Sequence, residues 1–189
     1  MLLLAGALVG LAVGLLTGGS VRNLLALRLR WPLVAIAAFL VRELEIRSSL
    51  ATSSLAPVVF VVSLVVLIAW TAWHRDRLPG IWLVVLGMTL NLVVVLANGG
   101  RMPVAQAAAH LGPPQLQEQG VWAEYALMGP GTRLDWLGDW ILLAQPLGRI
   151  FPQAYSPGDL VALAGLALVL FMATRPRRTA ATREAITTR

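Results

Sequence analysis

The sequence has no cysteine and no lysine among its 189 residues. Without cysteine there is no disulfide, no thiolate metal site and no cysteine nucleophile. With only two histidines a His-rich metal site is excluded too, and neither a metal nor another cofactor is expected. Charge is scarce: 13% of residues are charged, where a soluble domain carries about 25%. With 58% hydrophobic residues and a mean hydropathy of +0.75, this excludes a disordered chain. It also argues against an ordinary water-soluble globule. A phosphate-binding glycine loop is missing as well, because the Gly-Gly pairs lack a following Lys-Ser/Thr or a strand-to-helix context.

What the chain has instead is long apolar runs. A membrane helix needs roughly 20 mostly apolar residues. Five segments qualify, over residues 1–17, 31–49, 55–73, 81–97 and 157–173. The first lacks the charged start and cleavage site of a signal peptide. The second is apolar from Trp31 to Val41 and then meets Arg42, Glu43, Glu45 and Arg47. The expected fold is an all-α, polytopic membrane helix bundle of about five transmembrane helices. Residues 1–173 form its single domain, and 174–189 a basic cytoplasmic tail expected to be disordered.

All 15 basic residues are arginine, and with 9 acids they give a net charge of +6. Their placement orients the chain. Arg22, Arg28 and Arg30 lie in the first short loop, and Arg75 and Arg77 flank Asp76 in the third. The tail adds Arg175, Arg177, Arg178, Arg183 and Arg189 against Glu184. Five spans put these three segments on one side, hence the cytoplasm, with the N-terminus outside. The stretch 98–139 is net acidic. The high isoelectric point is thus a topology signal, and no nucleic-acid partner is expected.

The extracytoplasmic loop 98–156 holds the unusual residues. A loop of this length is usually functional or disordered, and its apolar runs predict order. Residues 134–143 read as a short interfacial or re-entrant helix, with Trp122, Trp136 and Trp140 suited to headgroup depth. Asn98, Gly99, Gly100 and Arg101 follow the fourth span directly. The glycines could open backbone N–H groups to an oxyanion, and Arg101 could grip a carboxylate or phosphate, with Arg133 as a further ligand contact. The competing reading is a glycine helix cap.

Two acids stand apart. Ser156, Pro157 and Asp159 spell a capping box, which accounts for Asp159. Thr132 and Asp135 offer a similar account for the preceding helix. Asp139 has no capping role and sits among Leu137, Trp140, Ile141 and Leu142. Its partner would be Arg101, Arg133, Arg149 or a proton shared with Asp159. If the two carboxyls meet, the pair can work as acid and base; a structural ion pair is the rival.

Gly6, Gly10, Gly14 and Gly18 recur every four residues, a pattern that lets helix backbones approach closely. It suits packing within the chain or a homodimer seam. Glu43 and Arg47 are spaced to pair along one helix, so the run Arg42 to Arg47 reads as a self-compensating helix end.

The strings Thr17-Gly-Gly-Ser-Val-Arg, Asn98-Gly-Gly-Arg-Met-Pro-Val104, Thr132-Arg-Leu, Leu137-Gly-Asp139 and Ser156-Pro-Gly-Asp159 resemble a family of bacterial multi-spanning membrane proteins. It is a domain family of unknown function. The resemblance extends to about residue 173 and implies a bacterial plasma-membrane protein without assigning an activity. A second, local resemblance is to lipoprotein signal peptidase, an intramembrane aspartic peptidase. It rests on Asp139-Trp-Ile, Phe151-Pro and Asp159, and implies Asp139 and Asp159 as a catalytic pair. The chain departs from that pattern in having Pro157-Gly158 before the second acid and an extra N-terminal span.

Three function classes follow. The first is an outer-face site binding a lipid-like or peptide-like ligand through Asn98, Gly99, Gly100, Arg101 and Arg133. The second is an aspartic membrane peptidase using Asp139 and Asp159. The third is a small transporter or channel subunit, for which the spans offer little beyond Asn91.

Overall fold

The computed structural model describes residues 2–176, with the side chain of Leu2 excepted. The basic tail beyond residue 176 lies outside the described residues. The chain is mostly helical. Helix α1 spans Leu2–Leu16, the short α2 Val21–Leu25, α3 Pro32–Arg47, α4 Ala56–Trp73 and α5 Ile81–Ala97. Strand β1 (Met102–Val104), helix α6 (Pro114–Gln119) and strands β2 (Val121–Trp122) and β3 (Tyr125–Leu127) follow. The chain then forms strand β4 (Ile141–Leu142), the single-turn α7 (Leu147–Ile150), strand β5 (Ala154–Tyr155) and the last long helix α8, Pro157–Ala173.

The five apolar runs therefore all form helices, within one or two residues of their expected ends. Punctuation residues set those ends. Pro32, Pro57 and Pro157 occupy first turns, where their missing N–H costs nothing. The carboxyl end of α5 is closed by Gly99 and Gly100, at φ 69° and 85°. The Gly100 N–H donates to the Val95 carbonyl at 2.9 Å, the six-to-one bond of a Schellman cap.

One of these helices, Ala56–Trp73, is by itself long and apolar enough to cross a membrane; α1, α5 and α8 are shorter apolar helices. At 1.5 Å per residue a 17-residue helix is about 25 Å long, short of the roughly 30 Å of hydrocarbon.

The long helices pack in the spatial order α1, α8, α5, α4, α3. Glycine makes the tightest seams. A Cβ at Gly10 would run into the Ala167 carbonyl, and one at Gly6 would press on Leu163. Gly14 faces Thr174 and Phe171. This face of α1 is thus covered by α8 within one chain. Gly18, at φ 90°, lies past the helix end and faces open space. A second seam, not singled out in the sequence, joins α5 to α8: Gly87 meets Gly158 and Ala162, and Gly165 meets Leu83 and Val84.

The loops sort to two ends. At one end the Arg30 N–H donates to Nε2 of His74 at 2.9 Å, and Arg77 donates to the Arg28 carbonyl at 2.7 Å. Ser20 and Asn23 both donate to the Thr174 carbonyl, and Arg175 donates to Thr17. Leu27, Leu78 and Val169 pack together there. At the other end, residues 98–156 form a cap. Its three-stranded sheet has the order β1-β3-β2, with β1 parallel to β3 and β2 antiparallel to it. Strands β4 and β5 pair separately.

This cap corrects the purely helical expectation. Residues 134–143 do not form an interfacial helix. They make one 3-10 turn at Asp135–Leu137 and then run extended. Gly138 ends the turn, and the Asp139 backbone pairs with β1, donating to the Pro103 carbonyl at 2.7 Å and accepting from Ala105 at 2.9 Å. The ladder gives those peptide groups partners that a helix would otherwise supply. Thr132 likewise caps no helix: its Oγ1 accepts from the Gly129 N–H at 2.8 Å and closes a turn.

Candidate functional site

Where the cap meets α3, α5 and α8, two acids of the cap, Glu124 and Asp139, gather with Arg42 and Glu45 of α3 and Asp159 of α8. Asp159 is fixed first. The Ser156 N–H donates to its Oδ2 at 3.1 Å, and its own N–H donates to Ser156 Oγ at 3.0 Å, completing the capping box. The Asn91 side-chain amide on α5 donates through Nδ2 to Oδ1 at 2.8 Å, while Ser156 Oγ donates to Asn91 Oδ1 at 2.8 Å. Asp159 is thus a cap, as its sequence setting implies, and the anchor of an α5–α8 polar knot.

Asp139 is the opposite case. It is 7% exposed, and its Oδ1 is buried with no hydrogen-bond partner. Of its four possible partners, neither Arg101, Arg133 nor Arg149 forms an ion pair with it among the described residues. Burial first, then the neighbouring Asp159 carboxylate, pushes the Asp139 carboxyl well above the usual carboxylate range, against a smaller opposing pull from Arg42. The two aspartates therefore do lie within electrostatic reach of each other. Tyr155, whose hydroxyl is buried without a partner, is shifted upward by burial and then by Asp159.

The residues of the Asn-Gly-Gly-Arg string are elsewhere and have other work. The Asn98 side chain donates to the carbonyls of Val94 and Arg133, both at 2.8 Å, and accepts from the Arg133 N–H at 2.9 Å. It pins the cap to α5. Gly99 and Gly100 form the helix cap described above. The Arg101 Nε donates to the Ala123 carbonyl at 3.3 Å, and the Arg133 side chain is exposed. The string therefore closes α5 and ties the cap to it, and none of its side chains bonds to Asp139 or Asp159 among the described residues.

Three site residues were not legible in the sequence. Glu124, fully buried, accepts from Arg42 on α3 through Nη2 at 2.7 Å and Nε at 3.1 Å. Arg42 also stacks over the Phe60 ring at 5.3 Å, and its Nη2 lies 3.5 Å from the Tyr125 hydroxyl. Glu45, on the same helix, is buried with both oxygens unpartnered. Only Glu43 and Arg47 pair along the helix as expected, at 3.5 Å and near the surface. The run is therefore compensated in part by the cap. One signal for Glu124 was present: it is a lone acid inside the apolar stretch Val121–Leu127.

A model of a family of unknown function (DUF5317) matches residues 26–171, and the chain belongs to that family. No curated protein and no solved structure matches the chain. The likeness to lipoprotein signal peptidase thus rests on the quoted residues alone.

Proposed function

We propose that the chain is a multi-spanning bacterial plasma-membrane protein whose cap lies on the outer face and binds a lipid-like or peptide-like ligand at Asp139. The observation that carries this reading is the buried, unpartnered Oδ1 of Asp139. A carboxyl pushed upward in this way keeps its proton to higher pH than an ordinary aspartate, and in the protonated form it donates a hydrogen bond. The amide and ester carbonyls of peptides and lipids are acceptors for it. Trp136, Trp140 and Leu142 expose apolar surface beside it. Support for the membrane setting comes from the apolar surface of the helices, including Leu4, Leu16, Leu33, Val58, Trp82 and Leu96. Further support comes from the gathering of the arginine-bearing loops at the end opposite the cap. Asp139→Ala, expressed at wild-type level, is expected to lose the lipid or peptide that co-purifies with the wild type. Asp159→Asn is expected to weaken it. Identical co-purified material in all three proteins would sink the site.

A second reading, an aspartic peptidase, is favoured by the inequality of the pair. Asp159 accepts two hydrogen bonds, whereas Asp139 Oδ1 has none. Unequal carboxyls suit a division in which one takes a proton from water and the other protonates the scissile carbonyl. It requires that Asp139→Asn and Asp159→Asn each leave a membrane-bound precursor uncut in a deletion strain that the wild type restores. Full complementation by either variant removes this reading.

A further inference from the structure

Away from the aspartate pair, Arg42, Glu45 and Glu124 form a cluster whose charges do not balance. The single guanidinium is engaged by Oε1 of Glu124. Three carboxylate oxygens remain without partners: Oε2 of Glu124 and both oxygens of Glu45. Each exposes less than 1 Å². Glu45 is within electrostatic reach of both Glu124 and Arg42. Among the described residues no other element pairs with it. The α4 helix presents no ionisable side chain, and neither does the turn Ser49–Thr52. Tyr125 and Asp139 on the cap are neutral or acidic, and Glu43 is spent on Arg47. A buried carboxylate without a counter-charge is strongly unfavourable, and leaving it so would consume a large share of a protein's stability.

We propose that Glu45 and Glu124, with Arg42, form a binding site for one unit of positive charge from solution, a sodium ion or a proton. One positive charge brings two carboxylates and a guanidinium to neutrality, whereas a divalent ion would overshoot. Among the described residues no group of three acids or histidines is arranged for a metal. The site is independent of the reading of Asp139.

The test uses the full-length protein in detergent micelles, with unfolding followed by tryptophan fluorescence. An Asp139→Asn background removes the other buried carboxyl. Melting temperature is measured from pH 5 to 9, in sodium chloride and in choline chloride of equal ionic strength. If sodium is the occupant, the midpoint at high pH rises with sodium and not with choline. If a proton is the occupant, the midpoint falls as pH rises, on the order of 3 °C per pH unit, whichever salt is present. In either arm Glu45→Gln abolishes the response, because the variant needs no counter-charge. Glu45→Leu does the same with an apolar side chain of similar bulk, and Glu43→Gln keeps the response. A midpoint that follows neither sodium nor pH overturns the proposal, as does a response that survives in both Glu45 variants.

Discussion

The Arg42 guanidinium lies 2.7 Å from the Glu124 carboxylate, joining the end of α3 to a cap residue 82 positions later in the chain. This is the main polar tie between α3 and the cap. Glu124 is fully enclosed, so removing its partner strands a buried charge. Arg42→Met is expected to cost about 3–5 kcal/mol. Arg42→Met combined with Glu124→Leu is expected to recover much of that loss, because the Glu124 carboxylate is no longer stranded. Thermal unfolding of both variants checks this, and equal destabilisation of the two would refute it.

The glycines of α1 are predicted to differ in a fixed order. Gly10→Ala drives a methyl group into the Ala167 carbonyl, which cannot move without separating α1 from α8. The expected cost is about 1–3 kcal/mol. Gly6→Ala meets mainly the Leu163 side chain, which can rotate, and costs less. Gly18→Ala meets nothing but must hold φ near 90°, at roughly 1 kcal/mol. A Gly6 variant less stable than the Gly10 variant would contradict this packing.

Asp139 makes stability depend on pH. Its carboxyl is raised in the folded protein above the unfolded value, which is about 3.9. The folded state therefore holds this proton more tightly. Its contribution is complete below about pH 4 and is lost as pH rises through the raised value. The Asp139→Asn variant has no such proton to lose. The gain in melting temperature of Asp139→Asn over the wild type is expected to grow as pH rises from 4. A gain that stays flat with pH would show that Asp139 is paired after all.

The helices were legible because each is one uninterrupted apolar run bounded by Pro, Gly or charge, and that information is local. Ser156 and Asp159 were legible for the same reason, since a capping box spans only four residues. The cap was not. Its strands are two or three residues long, too short for a periodicity of two to register. Residues 134–143 carry a helix-like apolar pattern, yet pairing of Asp139 with β1 decides their conformation. Asp139 itself was found by elimination, as the acid without a local role. Glu45 and Glu124 escaped because Arg42 and Glu43 offered each helix charge a plausible neighbour, while the real partner comes from a distant segment. Asn98 stood out in the sequence as a ligand contact, and in the structure its side chain bonds the carbonyls of Val94 and Arg133.

The proposed function rests on a cap that faces outside and arginine-bearing loops that face the cytoplasm. With no native cysteine, single-cysteine labelling tests it cleanly. His110→Cys, exposed in the cap, and Asp76→Cys, exposed in the arginine-bearing loop after α4, are treated in intact cells with a membrane-impermeant maleimide. Labelling of residue 110 in intact cells, with residue 76 labelled only after permeabilisation, is the predicted result. Labelling of 76 and not 110 in intact cells, or equal labelling of both, would contradict the account.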